Sequence, residues 1–135
     1  PDSRFGGQCP KLAVHASFAQ PGQILVEAVE MPDGAEFLTL ARTLEGPQGS
    51  FFERPRRTAI LLGCDIGFKD EIVYSAALPS APHATGKSAS VPAIPVGPAC
   101  RLCERQGCLA RAEPPLTRPL GLDEMVTGLS AFDFR

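Results

Sequence analysis

Apolar residues change period several times along the chain, and each change predicts an element. In residues 10–19 (PKLAVHASFA), Leu12, Val14 or His15, and Phe18 recur near helical spacing. That spacing predicts a short helix, stopped by Gln20-Pro21-Gly22. Residues 23–31 (QILVEAVEM) alternate loosely, with Ile24, Val26 and Ala28 on one side and Leu25, Glu27 and Val29 on the other. Their β-branched content favours a strand. Pro32-Asp33-Gly34 is a turn signal, because Pro presets φ and Gly accepts a positive one. The pattern resumes in residues 35–44 (AEFLTLARTL), so the two segments predict a β-hairpin. After the loop EGPQGS, residues 51–64 (FFERPRRTAILLGC) lead into a strand expected to be buried, with TAILL as its body. Residues 68–74 have room for a helix of at most two turns. Residues 78–99 read as a linker rich in Pro, Ser and Ala, and a turn-rich tail follows the cysteines, with one helical turn expected at residues 122–129. There is no internal repeat. The expected fold class is α+β: a small antiparallel sheet with short helices and an irregular cysteine-bearing C-terminal arm.

Composition narrows the class. With 135 residues, 44% hydrophobic and 21% charged, the chain fits one globular domain and not a disordered one. Its 13 Gly and 14 Pro exceed the roughly 12% of average usage, which agrees with short elements and many turns. Thirteen Lys and Arg against fifteen Asp and Glu leave a net charge of −2, with no basic footprint for a phosphate backbone. Nucleic-acid binding through these residues is therefore not expected. No apolar run approaches the roughly 18 residues of a membrane span, and PDSRFGGQCP has no apolar signal region. A cytoplasmic fragment of a longer protein is expected, with its thiols reduced.

The cysteines carry the chemistry. They are Cys9, Cys64, Cys100, Cys103 and Cys108, the last three spaced C-x2-C-x4-C. An odd count fits poorly with a closed disulfide framework. A C-x2-C turn aims two thiolates at one ion, a third can join from the same arm, and a distant Cys would complete a four-thiolate site. Tetrahedral zinc and iron–sulfur clusters both use such a set. Structural zinc usually presents two knuckles and this chain has one, which tilts the expectation toward an iron–sulfur cluster, with zinc as the alternative. The fourth ligand is either Cys64, at the end of a strand after Gly63, or Cys9, whose Cys-Pro pair also occurs at the last ligand of bacterial ferredoxin motifs. Arg101, Arg105 and Arg111 flank the triplet. Such cations stabilise thiolates or receive phosphate. Arg54, Arg56 and Arg57 form a second basic knot in ERPRR. His15 and His83 are the only histidines, and no nucleophile elbow, P-loop, HExxH or dinucleotide fingerprint occurs. A binding or sensing role is expected, not an enzyme.

The ordered segments RFGGQCPKLAVHASFAQPGQIL, MPDGAEFLTLART, AILLGCDIGFKDEIVY, PVGPACRLCERQGCLARAEPPL and LSAFDFR together resemble the C-terminal domain of the short-chain fatty acyl transcriptional regulators, which act on acetate metabolism and the methylcitrate cycle. The resemblance covers residues 5–135, and the block from Cys100 to Pro115 is its most specific part. It implies a single C-terminal ligand-sensing domain over residues 1–135, in a protein whose DNA-binding helix-turn-helix lies in a separate N-terminal domain. It further implies acyl-CoA or CoA as ligand, and in some members a four-iron (4Fe-4S) cluster on the cysteine set Cys9, Cys64, Cys100, Cys103 and Cys108. His15 falls in its C-P-x-x-x-V-H-x-x-F stretch. Ala13 and Ala16 depart from it, standing where an aromatic and an Arg are usual. A CoA ester needs arginine forks beside an apolar slot. Arg56, Arg57, Arg101 and Arg105 are the clustered cations on offer, with Tyr74 and His15 as further contacts. The competing expectation is a zinc-bound structural domain that dimerises the regulator, and a homo-oligomer is compatible with either.

Overall fold

The structure is a computed structural model that describes residues 8–47, 49, 52–78 and 91–119. The chain divides into two compact units. The larger draws on residues 13–30 and 35–94, the smaller on residues 1–12, 31–34 and 95–135.

The larger unit is built on the expected hairpin. β1 (Leu25–Glu30) and β2 (Glu36–Glu45) pair antiparallel, from Leu25 opposite Ala41 to Glu30 opposite Glu36. The Pro-Asp-Gly turn closes as its residues dictate: Gly34 sits at φ +88° and donates to the Met31 carbonyl at 2.9 Å. β3 (Arg57–Asp65) runs antiparallel to β2, from Phe37 opposite Asp65 to Glu45 opposite Arg57. A two-residue strand, β4 (Ile94–Pro95), completes the order β3-β2-β1-β4. It lies inside the stretch read as linker, too short to leave a periodic signal.

Strand alternation explains how this sheet is covered. Thr39, Ala41 and Thr43 of β2 share one face, and all three are buried. The helix α1 (Ala13–Ala16) and the 3-10 turn Ser17–Ala19 pack there, so the expected helix is present but tightens after one turn. Ala13 is 2% exposed, a site too tight for an aromatic. Ser17 is fully buried, and its Oγ donates to the Val14 carbonyl at 2.7 Å while accepting from Thr43 Oγ1 at 3.1 Å. The other face bears Leu40, Arg42 and Leu44 of β2 beside Ile60 and Leu62 of β3, and Leu62 is 63% exposed. β3 is therefore not the buried strand that its apolar body suggested. It is an edge strand with one face largely open. Residues 66–77 form two 3-10 turns, Ile66–Glu71 and Val73–Ala77, in place of a helix. Asp65 opens the first by accepting from the Gly67 N–H at 2.8 Å. The helical turn expected at residues 122–129 lies outside the described residues.

Glu27 is the polar exception in the sheet. Its main-chain carbonyl accepts from Thr39 Oγ1 at 3.0 Å, but its buried Oε2 has no hydrogen-bond partner among the described residues. Burial pushes its carboxyl above the ordinary value of 4.5. The folded state then binds the proton more tightly than the unfolded state, so the contribution of Glu27 to stability is fully present below pH 4.5 and is lost as pH rises through the raised value. Thermal melts from acid to neutral pH should show that decline in the wild type and a flatter profile in Glu27→Gln. Identical profiles would contradict this account.

Candidate functional site

The smaller unit contains the cysteine arm and gathers four of the five cysteines around one cavity. Its wall includes Cys9, Cys100, Cys103 and Cys108, with Arg105 and Arg111 beside them. Cys64 is not in that wall; it lies on β3 in the larger unit, opposite Leu38. Local chain geometry explains each placement. Cys9 opens a turn closed by the Leu12 N–H on its carbonyl at 3.1 Å. Cys100 begins the 3-10 turn Cys100–Leu102, and the Cys103 N–H returns to the Cys100 carbonyl at 3.3 Å, which puts both side chains on one tight bend. Gly107, at φ +66°, reverses the chain before Cys108. Cys9 and Cys103 are 7% and 8% exposed, and Cys100 and Cys108 are half-buried.

Gly97 makes the cavity possible. A Cβ on it would stand 2.7 Å from Cys103 Sγ and 2.9 Å from Cys103 Cβ, so any side chain there displaces Cys103. The Ala112 N–H points at Cys100 Sγ, 3.4 Å away. A group bound by thiolate gains from both the N–H donor and the nearby guanidinium groups. Four thiols from two distant segments are a donor set for zinc or for an iron–sulfur cluster. The free volume is about 20 Å³, room for one water-sized guest, which needs roughly 10–15 Å³. As the side chains stand, no three His, Cys, Asp or Glu among the described residues converge tightly enough to hold an ion. Seating an ion or a cluster would require the thiols to reorient.

The arginines named from sequence have mostly structural partners. Arg105 Nε donates to the Val96 carbonyl at 2.9 Å, and Arg101 pairs with Glu113 at 3.2 Å. Arg57 pairs with Glu45 at 3.0 Å across exposed side chains, and Arg56 is exposed in the segment leading into β3. Arg56 and Arg57 belong to the larger unit, Arg101 and Arg105 to the smaller, so these four do not make one cluster within either unit. His15 is exposed on α1. Farther along the arm, Glu104 accepts from Thr117 Oγ1 and from Arg118, and these contacts, Thr117 first, hold its carboxyl below the ordinary value.

A second concavity lies on the open face of the sheet. Ile24, Leu40, Leu44, Ile60, Leu62 and Tyr74 line about 230 Å³, with Arg42 among them. Of these only Tyr74 was singled out from sequence. The signal lay in β2, where small residues (Thr39, Ala41, Thr43) alternate with large ones (Leu38, Leu40, Leu44). The small ones receive the helix, and the large ones are left to face elsewhere.

Fold and cysteine arm together define a regulator domain. Residues 1–132 match the family described as short-chain fatty acyl coenzyme A regulator, C-terminal. The chain belongs to this family, as its sequence motifs had suggested. Across 97% of its length it is 39% identical to the propionyl-CoA carboxylase regulator of Cereibacter sphaeroides, and across 96% it is 38% identical to the HTH-type transcriptional regulator RamB of Mycobacterium tuberculosis. The HTH-type transcriptional regulator PrpR of the same species is 34% identical over 90% of the chain. A solved M. tuberculosis transcriptional regulator superposes with a TM-score of 0.76 at 31% identity, over 92% of this chain and 36% of that one. The α+β class with its small sheet agrees with that neighbour. The chain spans about a quarter of the length of these curated relatives, 26% of the first two and 24% of PrpR. All of these relatives are named as regulators and not as enzymes. Among the described residues no helix is long and apolar enough to cross a membrane.

Proposed function

We propose that this regulatory domain senses effectors for a transcription factor by two means. Cys9, Cys100, Cys103 and Cys108 hold an iron–sulfur cluster or a metal ion, and the effector is a short-chain acyl-CoA. The observation that carries the reading is the meeting of Cys9 with the distant triplet at one cavity wall. Four thiols so placed have little structural purpose of their own, since larger apolar side chains would fill the space better. The acyl-CoA half is supported by the family's description and by the apolar groove on the sheet. DNA binding is assigned to other parts of such a regulator, since this chain carries a net charge of −2.

The small volume of the cavity favours one competing reading, a single structural zinc ion. Purification of the chain without oxygen, followed by iron, sulfide and zinc analysis, separates the two. A brown protein containing iron and sulfide supports the cluster. A colourless protein with one zinc per chain supports the structural ion. A protein with neither, even after reconstitution, overturns the metal reading.

A further inference from the structure

We infer that Arg111 is the positioning residue of the cysteine cavity: one buried arginine sets the relative placement of all three cysteines of the triplet. The inference rests on the reading of that cavity as a metal or cluster site.

Arg111 is 8% exposed, and its side chain is spent on main-chain carbonyls of the arm. Nη1 donates to the Cys100 carbonyl at 2.9 Å and to the Glu113 carbonyl at 3.3 Å. Nη2 donates to the Cys103 carbonyl at 2.9 Å and to the Arg105 carbonyl at 2.8 Å. Its own N–H donates to the Cys108 carbonyl at 3.3 Å. The backbones of Cys100, Cys103 and Cys108 are thus all hydrogen-bonded to one residue. The next N–H along the chain, that of Ala112, points at Cys100 Sγ.

The cysteine arm needs such a brace. It has one 3-10 turn of three residues, Cys100–Leu102, and no longer element between residues 96 and 119. A regular helix or strand fixes its residues through its own ladder, and this arm has none to do so. A guanidinium is rigid and planar, with five donors in a fixed fork, so it sets the distances between the carbonyls it joins. Lysine carries the same charge on a single nitrogen and cannot span the four. The guanidinium also keeps positive charge beside the cavity that it lines, where thiolate ligands concentrate negative charge.

The test uses Zn²⁺ affinity by chelator competition, with the visible spectrum of the Co²⁺-substituted chain as a report on ligand geometry. The variants are Arg111→Lys, Arg111→Gln, and Arg118→Lys as a control in the exposed pair with Glu104. Changes to groups that orient metal ligands usually cost about 10- to 100-fold in affinity, and that loss is expected for Arg111→Gln and for Arg111→Lys alike. The Co²⁺ bands should shift in both, and Arg118→Lys should match the wild type. A role in general stability alone would lower the melting temperature of the metal-free chain without moving the Co²⁺ bands, and that result overturns the inference. Wild-type affinity and spectrum in Arg111→Lys overturn it as well, leaving the metal site itself intact. If neither Arg111 variant melts cooperatively, the residue is a folding determinant and the positioning role is rejected. A wild-type chain that takes up neither Zn²⁺ nor Co²⁺ overturns the underlying reading of the cavity.

Discussion

Cys9→Ser should strip the metal or cluster from the chain, and Cys64→Ser should leave it in place. The two residues are equally plausible fourth ligands by sequence. Only Cys9 shares a cavity wall with Cys100, Cys103 and Cys108. A four-thiolate site rarely survives on three thiolates, because serine is a poor ligand for soft metals. Metal per chain is therefore expected to fall to background in Cys9→Ser and Cys103→Ser. Stability should fall with it, since binding to the folded state alone contributes RT ln(1 + [L]/Kd), about 4 kcal/mol when free metal is a thousandfold above Kd. Cys64→Ser exchanges one small, half-buried side chain for another on β3, a change expected to cost about 1 kcal/mol at most. Iron and zinc analysis beside a thermal melt distinguishes the outcomes. Loss of metal in Cys64→Ser with retention in Cys9→Ser would reverse the assignment.

The sheet was legible because its signals were local. Pro32-Asp33-Gly34 specifies its turn, the flanking alternation specifies β1 and β2, and TAILL marks β3 within nine observed residues, Arg57–Asp65. What was not legible depended on tertiary partners. TAILL reads as buried by hydropathy, but Ile60 and Leu62 on the face it shares with Leu40 and Arg42 are exposed, and no sequence pattern reports that no described element covers them. Residues 68–74 had room for a helix of at most two turns and instead fall in two 3-10 turns. The break at Ile72, which is extended at φ −101° and ψ 119°, divides the stretch into pieces too short to nucleate an α-helix. The cysteine triplet was visible as spacing. The placement of Cys9 beside it was not, because ninety intervening residues set no distance. Arg111 looked like any other arginine of the arm. Its four carbonyl partners arise from the path of an irregular backbone, which composition and periodicity do not encode.

Propionyl-CoA should bind this domain more tightly than acetyl-CoA, and Leu62→Glu should abolish the binding of both. The open sheet face has an apolar slot of about 230 Å³, somewhat below the roughly 300–1,000 Å³ of sites that enclose a drug-sized ligand. That size suits an acyl chain of a few carbons and leaves the nucleotide part on the surface. One further buried CH₂ contributes about 0.8 kcal/mol, so the preference for propionyl over acetyl should be about fourfold at 1.4 kcal/mol per decade. Leu62 is 63% exposed, so a glutamate there is tolerated by the fold. It would place a carboxylate in the slot and repel an anionic ligand. The phosphates need cations, and Arg56 lies in the same unit as the slot. A charged hydrogen bond contributes about 1.5–3 kcal/mol, so Arg56→Ala should weaken binding by about 10- to 150-fold. Arg101 lies in the smaller unit and pairs with Glu113, but exposed pairs of this kind contribute only about 0–1 kcal/mol and yield to a better partner. Arg101→Ala therefore asks whether the arm takes part at all. Titration calorimetry with both esters on wild type and the three variants gives the answer. If wild type binds neither ester at millimolar concentration with its metal in place, the acyl-CoA reading fails for this chain. If both esters bind and Leu62→Glu changes nothing, the ligand is right and the slot is elsewhere. If Leu62→Glu abolishes binding and neither arginine matters, the slot stands and the phosphates are held by other residues.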